Sequence, residues 1–398
     1  MEEELSVSNG ESTRVAFILP LVDWLGGRNY LRNLFAALGT LSANPITPVI
    51  FAGKRQCDAL ADFPAIEVIQ TSILDRKSPG WIMRKIIEKT TARDAILQRL
   101  LKKHDISVLS HSPHLGRQTA VKTIGWIPDF QHLHLPELFT PEERLHRDRQ
   151  YTEFCMLCDK IIVSSEFARA DLLRFSPAHA HKIEVLQFVA SPLSTARAAS
   201  LQDLQRIYDF SQPYFLLPNQ FWAHKNHRVV LSALQILKRR NDRLLVLATG
   251  STEDYRNPSF FPSLMEYAAE CNVLDCFRVL GKIPFDHLVG LMQHAVAFIN
   301  PSRFEGWSTS VEEAKSMGKQ IVLSDIPGHR EQAPERGFFF PMDDPQTLAA
   351  AMIAAYNGWY QEDVAAQDAA ISRCLNRQRQ YAEGYFQIVQ RALRHNIS

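Results

Sequence analysis

The stretch Phe298-Ile-Asn-Pro-Ser-Arg-Phe-Glu305-Gly-Trp-Ser-Thr-Ser-Val-Glu-Glu313-Ala-Lys-Ser-Met-Gly318 carries two carboxylates eight positions apart, Glu305 and Glu313, across a strand-to-helix junction. Its apolar lead-in, Val296 to Asn300, predicts a buried parallel strand, Glu305-Gly306 the turn at its carboxyl end, and Ser308 to Ser310 the opening of a helix. Backbone N–H groups at such an opening lack intrahelical partners and attract phosphate. Glu305 then hangs over a crevice, and Glu313 faces the same crevice from the first helical turns. A second reading stays open: Ser310-Val-Glu-Glu313 is an S-x-x-E capping box, in which Glu313 only closes the helix start.

As a whole the segment resembles the E-x7-E motif of the family 4 retaining glycosyltransferases, which are group 1 glycosyltransferases. Gly318-Lys-Gln-Ile-Val-Leu-Ser-Asp325-Ile-Pro-Gly-His-Arg-Glu331 continues the resemblance through the next strand and loop. The resemblance covers nearly the whole chain from Arg14 and is strongest from Tyr214 to Pro341. It implies an α/β chain of the GT-B fold, two doubly wound Rossmann-like domains facing a deep cleft. It also implies transfer of a hexosyl group from a nucleoside diphosphate sugar. On that reading Glu305 holds the sugar's hydroxyls, Glu313 the ribose, and the N–H groups of Ser308 and Thr309 the phosphates. Ser308-Thr309-Ser310 stands where family members commonly carry Gly-Leu-Pro, and its hydroxyls can add phosphate contacts.

The 398 residues suffice for two cores of about 150 to 200 residues each. With 46% hydrophobic residues, 22% charged and a formal net charge of +1, the composition is that of a soluble globular protein and gives no electrostatic argument for nucleic acid. No apolar run reaches the roughly 18 to 20 residues that span a bilayer. Met1 to Thr13 is acidic and polar rather than signal-like, so a disordered tail and a cytoplasmic location are expected. Cysteines stand at 57, 155, 158, 271, 276 and 374. A lone Cys155-x-x-Cys158 is a weak metal signal, and reduced, half-buried thiols are expected there. No metal and no cofactor are expected; no Asp-x-Asp motif occurs, which agrees with metal-independent transfer.

Apolar runs alternate with helical patterns from Arg14 onward, and a second such series begins at Tyr214, as in parallel sheets covered on both faces. The Ser-rich stretch 190–200 reads as a linker between an acceptor-side domain, 14–190, and a nucleotide-sugar-binding domain, 201–375. Ile371, Leu375, Tyr381, Phe386, Val389 and Leu393 mark a helical tail. The resemblance implies that its last helix, about 376–398, crosses back onto the first domain.

Ligands of doubly wound sheets sit beyond the carboxyl ends of the strands. Gly26-Gly27 follows the first strand and its extension Pro20 to Asp23; it is either a tight turn or, as its resemblance to the family's glycine loop implies, a place where N–H groups approach a ligand. Pro218-Asn219-Gln220-Phe-Trp-Ala-His224-Lys225 follows the first strand of the second domain, and Lys225 is placed to neutralise a departing diphosphate. In the wider family an arginine usually sits at the position of Gln220; Asn219 and Gln220, or a basic residue such as Arg303 or Arg28, would take its place. Lys282 and Ile283 resemble the family's loop at the nucleobase. Gly250 to Asp254 is the neighbouring loop, equally readable as a surface turn. In the first domain, Trp126-Ile-Pro128-Asp129-Phe-Gln131-His132-Leu-His134-Leu-Pro136-Glu137 resembles a loop that begins His-Asp. Asp129 matches, Pro128 replaces the histidine, and His132 is the candidate to act in its stead as a catalytic group. His111 and His114 are candidate acceptor contacts, and the residues around Phe167 fit a helix cap.

The segment 76–103 is strongly basic, with Trp81, Ile82, Met83, Ile86 and Ile87 interleaved. It reads either as an amphipathic helix with a solvated basic face or as a peripheral contact with an anionic membrane at the cytoplasmic face. The expected activity is a metal-independent retaining hexosyltransferase using a UDP-sugar, with GDP next, on a glycan or lipid-linked acceptor in polysaccharide biosynthesis. The alternatives are a catalytically silent sugar-nucleotide-binding protein and a sugar-nucleotide epimerase or hydrolase.

Overall fold

A computed structural model describes residues 12–19, 25–42, 45–55, 63, 65–112, 114–117, 119–193, 196–359 and 364–394. Most of the expected tail 1–13, the extension Pro20 to Asp23 and Cys57 lie outside the described residues.

Two parallel sheets form the molecule. The first comprises β1 (Thr13–Ile18), β2 (Ile46–Ala52), β3 (Glu67–Gln70), β4 (Val108–Ser110), β5 (Lys122–Ile127), β6 (Lys160–Val163) and β7 (Ile183–Val185), in the order β3-β2-β1-β4-β5-β6-β7. The second comprises β8 (Tyr214–Leu217), β9 (Leu245–Thr249), β10 (Phe277–Gly281), β11 (Phe298–Asn300), β12 (Ile321–Ser324) and β13 (Gly337–Phe340), in the order β10-β9-β8-β11-β12-β13. Every residue of β8, β9, β11 and β12 is buried, the pattern of strands covered by helices on both faces. In each sheet the order reverses once, between β1 and β4 and between β8 and β11. These are topological switch points, where adjacent connections leave on opposite faces and open a crevice.

The helix Val364–Arg394 joins the two halves. Tyr381, Ala382, Tyr385, Ile388, Val389 and Ala392 lie in the core of the first domain with Phe17 and Leu34. The buried stripe differs from the expected one, because Leu375 is half exposed while Cys374 and Gln378 face inward. Residues with small or hydrogen-bonding side chains occupy positions where the helix approaches the 190–191 backbone, Cys374 Sγ donating to the Ala190 carbonyl and Gln378 to Ser191 Oγ. The stretch 190–200 is packed rather than loose: Leu193, Ala196, Ala198 and Ala199 lie against the second core. Cys155 and Cys158 end the helix Pro141–Leu157 with both thiols buried, and burial pushes Cys158 up to about 12.

The basic segment forms two helices, Pro79–Thr91 and Ala95–Lys103, broken at Ala92, whose φ of 54° is left-handed. Arg84 turns inward onto Asp94 at 2.6 Å, so it is not part of the solvated basic face.

Arg377 of the terminal helix reaches the second domain at Glu312, 2.6 Å away; the Glu312 side chain is fully buried. Removing Arg377 leaves the buried Glu312 charge, among the described residues, only Lys315, at 3.4 Å, and Gln332, and breaking such a buried pair is costly. Arg377→Met should therefore lower stability by about 2 to 4 kcal/mol in urea denaturation. Arg379→Met, which breaks an exposed pair with Glu383, should change it by about 0.5 kcal/mol or less.

Candidate active site

The loops after β8 and β11 flank the switch point of the second sheet, and the buried side chain of Asn300 ties them together. Its Nδ2 donates to Ser308 Oγ at 2.7 Å and to Ser310 Oγ at 3.2 Å, while its Oδ1 accepts from Ser302 Oγ at 2.7 Å. Asn219, at the end of β8, also donates to Asn300 Oδ1, at 3.4 Å.

This frame brings Lys225 and Glu305 together. Lys225 ends the short turn Ala223–Lys225, and Asn226, with a φ of 54°, directs the chain into the helix His227–Arg239. Lys225 Nζ lies 2.6 Å from Glu305 Oε1, and the side chains are only 16% and 10% exposed. Ser302 Oγ is also 2.6 Å from Glu305 Oε1. Burial pushes the Glu305 carboxyl up, but the nearby positive charge, Lys225 foremost, overrides it and holds the group down at about 2. Around this pair stand two buried imidazoles: His224 leaves Nδ1 without a partner and His329 leaves Nε2 without one.

The helix Thr309–Ser316 begins after Ser308, and no side chain closes its start. The Ser310–Glu313 capping box does not form, because Ser310 already lies inside the helix and the Ser308 hydroxyl is engaged by Asn300. The expectation that the Ser308 N–H faces phosphate is corrected. Gln332 accepts from that N–H and donates to the Ser308 carbonyl, both at 2.9 Å. Thr309 is the first helical residue, with Ser310 behind it. The adjacent carboxylates part company one residue apart on the helix: Glu312 points inward to Arg377, Lys315 and Gln332. Glu313 points away, and burial pushes its carboxyl up to about 7 against the partial opposition of Arg32 in the first domain.

The first domain meets this site directly. Gly306 packs so closely on the Pro128–Asp129 loop that a Cβ there would come within 2.4 Å of the Pro128 carbonyl oxygen and 2.8 Å of Asp129 Cβ. Trp307 Nε1 donates to the Phe188 carbonyl at 2.8 Å. Glu331 accepts from the N–H groups of Glu166 at 2.7 Å and Phe167 at 3.1 Å, at the start of the helix Glu166–Phe175, which Ser165 caps. Asp129 accepts from the Gln131 N–H at 2.9 Å and from Arg147 at 3.3 Å.

His132 does not join the cluster, and this corrects the expectation that it faces the cleft. Its side chain is fully buried, with Nε2 3.1 Å from Asp148 and the ring among Phe130, Phe139 and Tyr151. Two residues on, past the opposite side of the short helix Gln131–His134, His134 reaches Asp171 at 2.8 Å and lies 5.0 Å from the ring of Phe304. His111 sits in an aromatic box with Tyr30 and Trp126, and burial pushes it down to about 3, so it is neutral. His114 contacts Glu153 at 3.5 Å. Gly26 and Gly27 occupy the first turn of the helix Leu25–Leu38. Lys282 is exposed, and Ile283 packs partly on the second core, beyond β10. Gly250, with a φ of 127°, lies against the backbone of Asn219 and Gln220, so only glycine fits.

Residues 212–357 match the family model described as glycosyl transferases group 1. The second domain is thus similar to the group 1 glycosyltransferases over most of its length. O-antigen chain mannosyltransferase B of Escherichia coli is 22% identical over 247 residues, 61% of this chain; the match spans 62% of that relative's length. A glycosyltransferase from Rickettsia africae superposes with a TM-score of 0.70 at 17% identity, over 97% of this chain and all of its own. Anabaena HepE, solved with UDP and glucose, superposes with a TM-score of 0.66 at 14% identity, over 95% of this chain and 98% of its own. The chain has the GT-B fold, and Lys225, Glu305 and Glu313 lie on the segments that follow β8 and β11 in its second domain.

A carboxyl held near 7 in the folded chain and at its ordinary value of 4.5 when unfolded opposes folding once it ionises. That penalty is absent below about pH 4, grows through the interval between the two values and is complete above about pH 7. Glu313→Gln should therefore raise stability at pH 8 by about 1 to 3 kcal/mol, a gain that fades as the pH falls toward 4. Thermal unfolding across that range checks it.

Proposed function

We propose that the chain is a retaining hexosyltransferase that moves a sugar from a nucleoside diphosphate sugar to a hydroxyl of a glycan or lipid-linked saccharide in polysaccharide biosynthesis. The observation that carries this reading is the buried Lys225–Glu305 pair at the switch point, pressed against the first domain through Gly306. An incoming diphosphate is a competing acceptor for the Lys225 ammonium. Once it binds there, Glu305 is released to accept hydrogen bonds from the sugar's hydroxyls. Breakage of the bond between the anomeric carbon and the phosphate oxygen leaves negative charge on the diphosphate, which Lys225 neutralises in place of a metal ion. The acceptor oxygen attacks the face the phosphate leaves and gives its proton to that phosphate, so configuration is kept. Glu313, with its carboxyl poised near neutrality, accepts from the ribose hydroxyls.

UDP is the favoured nucleotide, with GDP next; the UDP complex of the structurally similar HepE supports this choice. The likeness to an O-antigen chain mannosyltransferase supports a surface polysaccharide or its lipid-linked precursor as acceptor. Among the described residues no helix is long and apolar enough to cross a membrane. The helix Pro79–Thr91 exposes Ile82, Met83 and Ile86 by 46%, 55% and 53%, beside Lys85 and Lys89, and we assign it a peripheral contact with an anionic membrane at its cytoplasmic face.

The expected outcome is nucleoside diphosphate release that depends on acceptor and is unchanged by EDTA, with a product of the donor's anomeric configuration by NMR. Lys225→Ala should lower kcat about a hundred- to a thousandfold. An inverted product, or a Lys225→Ala enzyme as fast as wild type, would overturn the mechanism. Replacing Ile82 and Ile86 by serine should release the protein from anionic vesicles; equal sedimentation of variant and wild type would remove the membrane contact.

A further inference from the structure

Lys225 supplies one positive charge, whereas a diphosphate brings more than one negative charge, and Gln220 is neutral. Of the arginines considered from the sequence, Arg303 is turned outward, 44% exposed and paired with Asp343 at 3.1 Å. The loop after β9 brings another cation to the same place. Gly250 seats this loop on the backbone of Asn219 and Gln220, and the Phe221 N–H donates to the Ser251 carbonyl at 2.9 Å. Six residues beyond Gly250, the guanidinium of Arg256 lies over the ring of Trp222 at 5.1 Å, and that ring lies 5.7 Å from the imidazole of His224, next to Lys225. The same guanidinium lies over the ring of Phe139 in the first domain at 5.2 Å, so Arg256 contacts both domains.

The Arg256 side chain is only 10% exposed, yet its own ion pair is loose. Its Nε is 3.6 Å from Asp254 Oδ1, beyond hydrogen-bond range, and that Nε has no hydrogen-bond partner. Asp254 instead accepts from the Arg256 backbone N–H at 3.0 Å. A buried donor left unmatched is unfavourable unless something else occupies it. The orphaned Nδ1 of His224 lies in the same corner. Burial, then the charge of Lys225 and, against Glu305, that of Arg256 push His224 down to about 3, so it stays neutral and adds no further charge.

We infer that Arg256 and Lys225 together form the phosphate subsite, the planar guanidinium holding two oxygens of the donor diphosphate while the ammonium neutralises a third. This rests on the donor reading above. The cation–π contacts of Arg256 with Trp222 and Phe139 hold the guanidinium in place before the ligand arrives, which suits a two-point contact that lysine cannot make.

Calorimetric titration of the full-length chain with UDP, GDP, uridine, guanosine and inorganic pyrophosphate tests it on wild type, Arg256→Gln and Arg256→Lys. The expected result is a loss of about ten- to a hundredfold in affinity for the bound nucleoside diphosphate in Arg256→Gln, with the nucleoside's own affinity unchanged. Arg256→Lys should recover part of it, and serves alone, judged by the same difference between diphosphate and nucleoside, if Arg256→Gln does not fold. Unchanged affinity for the diphosphate in the variants, or an equal loss for nucleoside and diphosphate, would overturn the assignment while leaving the donor site standing. A wild-type chain that binds none of these ligands would remove the donor reading together with it.

Discussion

An ionised carboxylate taken out of water must find a partner or take up a proton, and three glutamates within nine residues meet this demand in three ways. Glu305 finds Lys225 and stays strongly acidic. Glu312 finds Arg377, Lys315 and Gln332, and becomes the joint between the second domain and the terminal helix. Glu313 has, among the described residues, the charge of Arg32 to oppose its burial, and its carboxyl is left at about 7. On the proposed function the first arrangement exchanges partners when the diphosphate arrives, whereas the second is fixed by three partners. Chemistry and architecture thus divide along one short helix, according to which face each side chain takes.

Much of this was legible in the residues. Unbroken apolar runs mark the parallel strands, and the ends of those runs mark the loops that meet at the second switch point, so Lys225, Glu305 and Glu313 fall where their positions after β8 and β11 place them. What escaped depends on partners remote in sequence or on helix phase. Gln332, 24 residues away, takes the Ser308 N–H. His132 and His134 differ by two residues on one short helix, and the choice of which enters the core depends on Asp148, Tyr151 and Asp171 rather than on the loop itself. Arg84 counts as one more positive charge in a basic run, yet Asp94 draws it inward. Asn300 reads as an ordinary strand end, although its amide holds four polar side chains in register.

The contact between the domains draws on Gly306 and Trp307, next to Glu305, and on Glu331. Gly306 abuts Pro128, Trp307 hydrogen-bonds Phe188, and Glu331 closes the start of the helix Glu166–Phe175. These links mix hydrogen bonds with close packing, Trp307 lying on the first core and Phe304 against the rings of His134 and Phe167.

Because Gly306 directly follows Glu305, freeing that carboxylate from Lys225 and moving the first domain act on one stretch of backbone. Thermodynamic linkage is reciprocal: if occupancy of one wall of the cleft favours a particular spacing of the walls, that spacing favours the same occupancy by an equal free energy. On the proposed function, a glycine with no room for a methyl group is then the point through which the two halves of the molecule sense each other's occupancy, and the order of substrate entry follows from its packing.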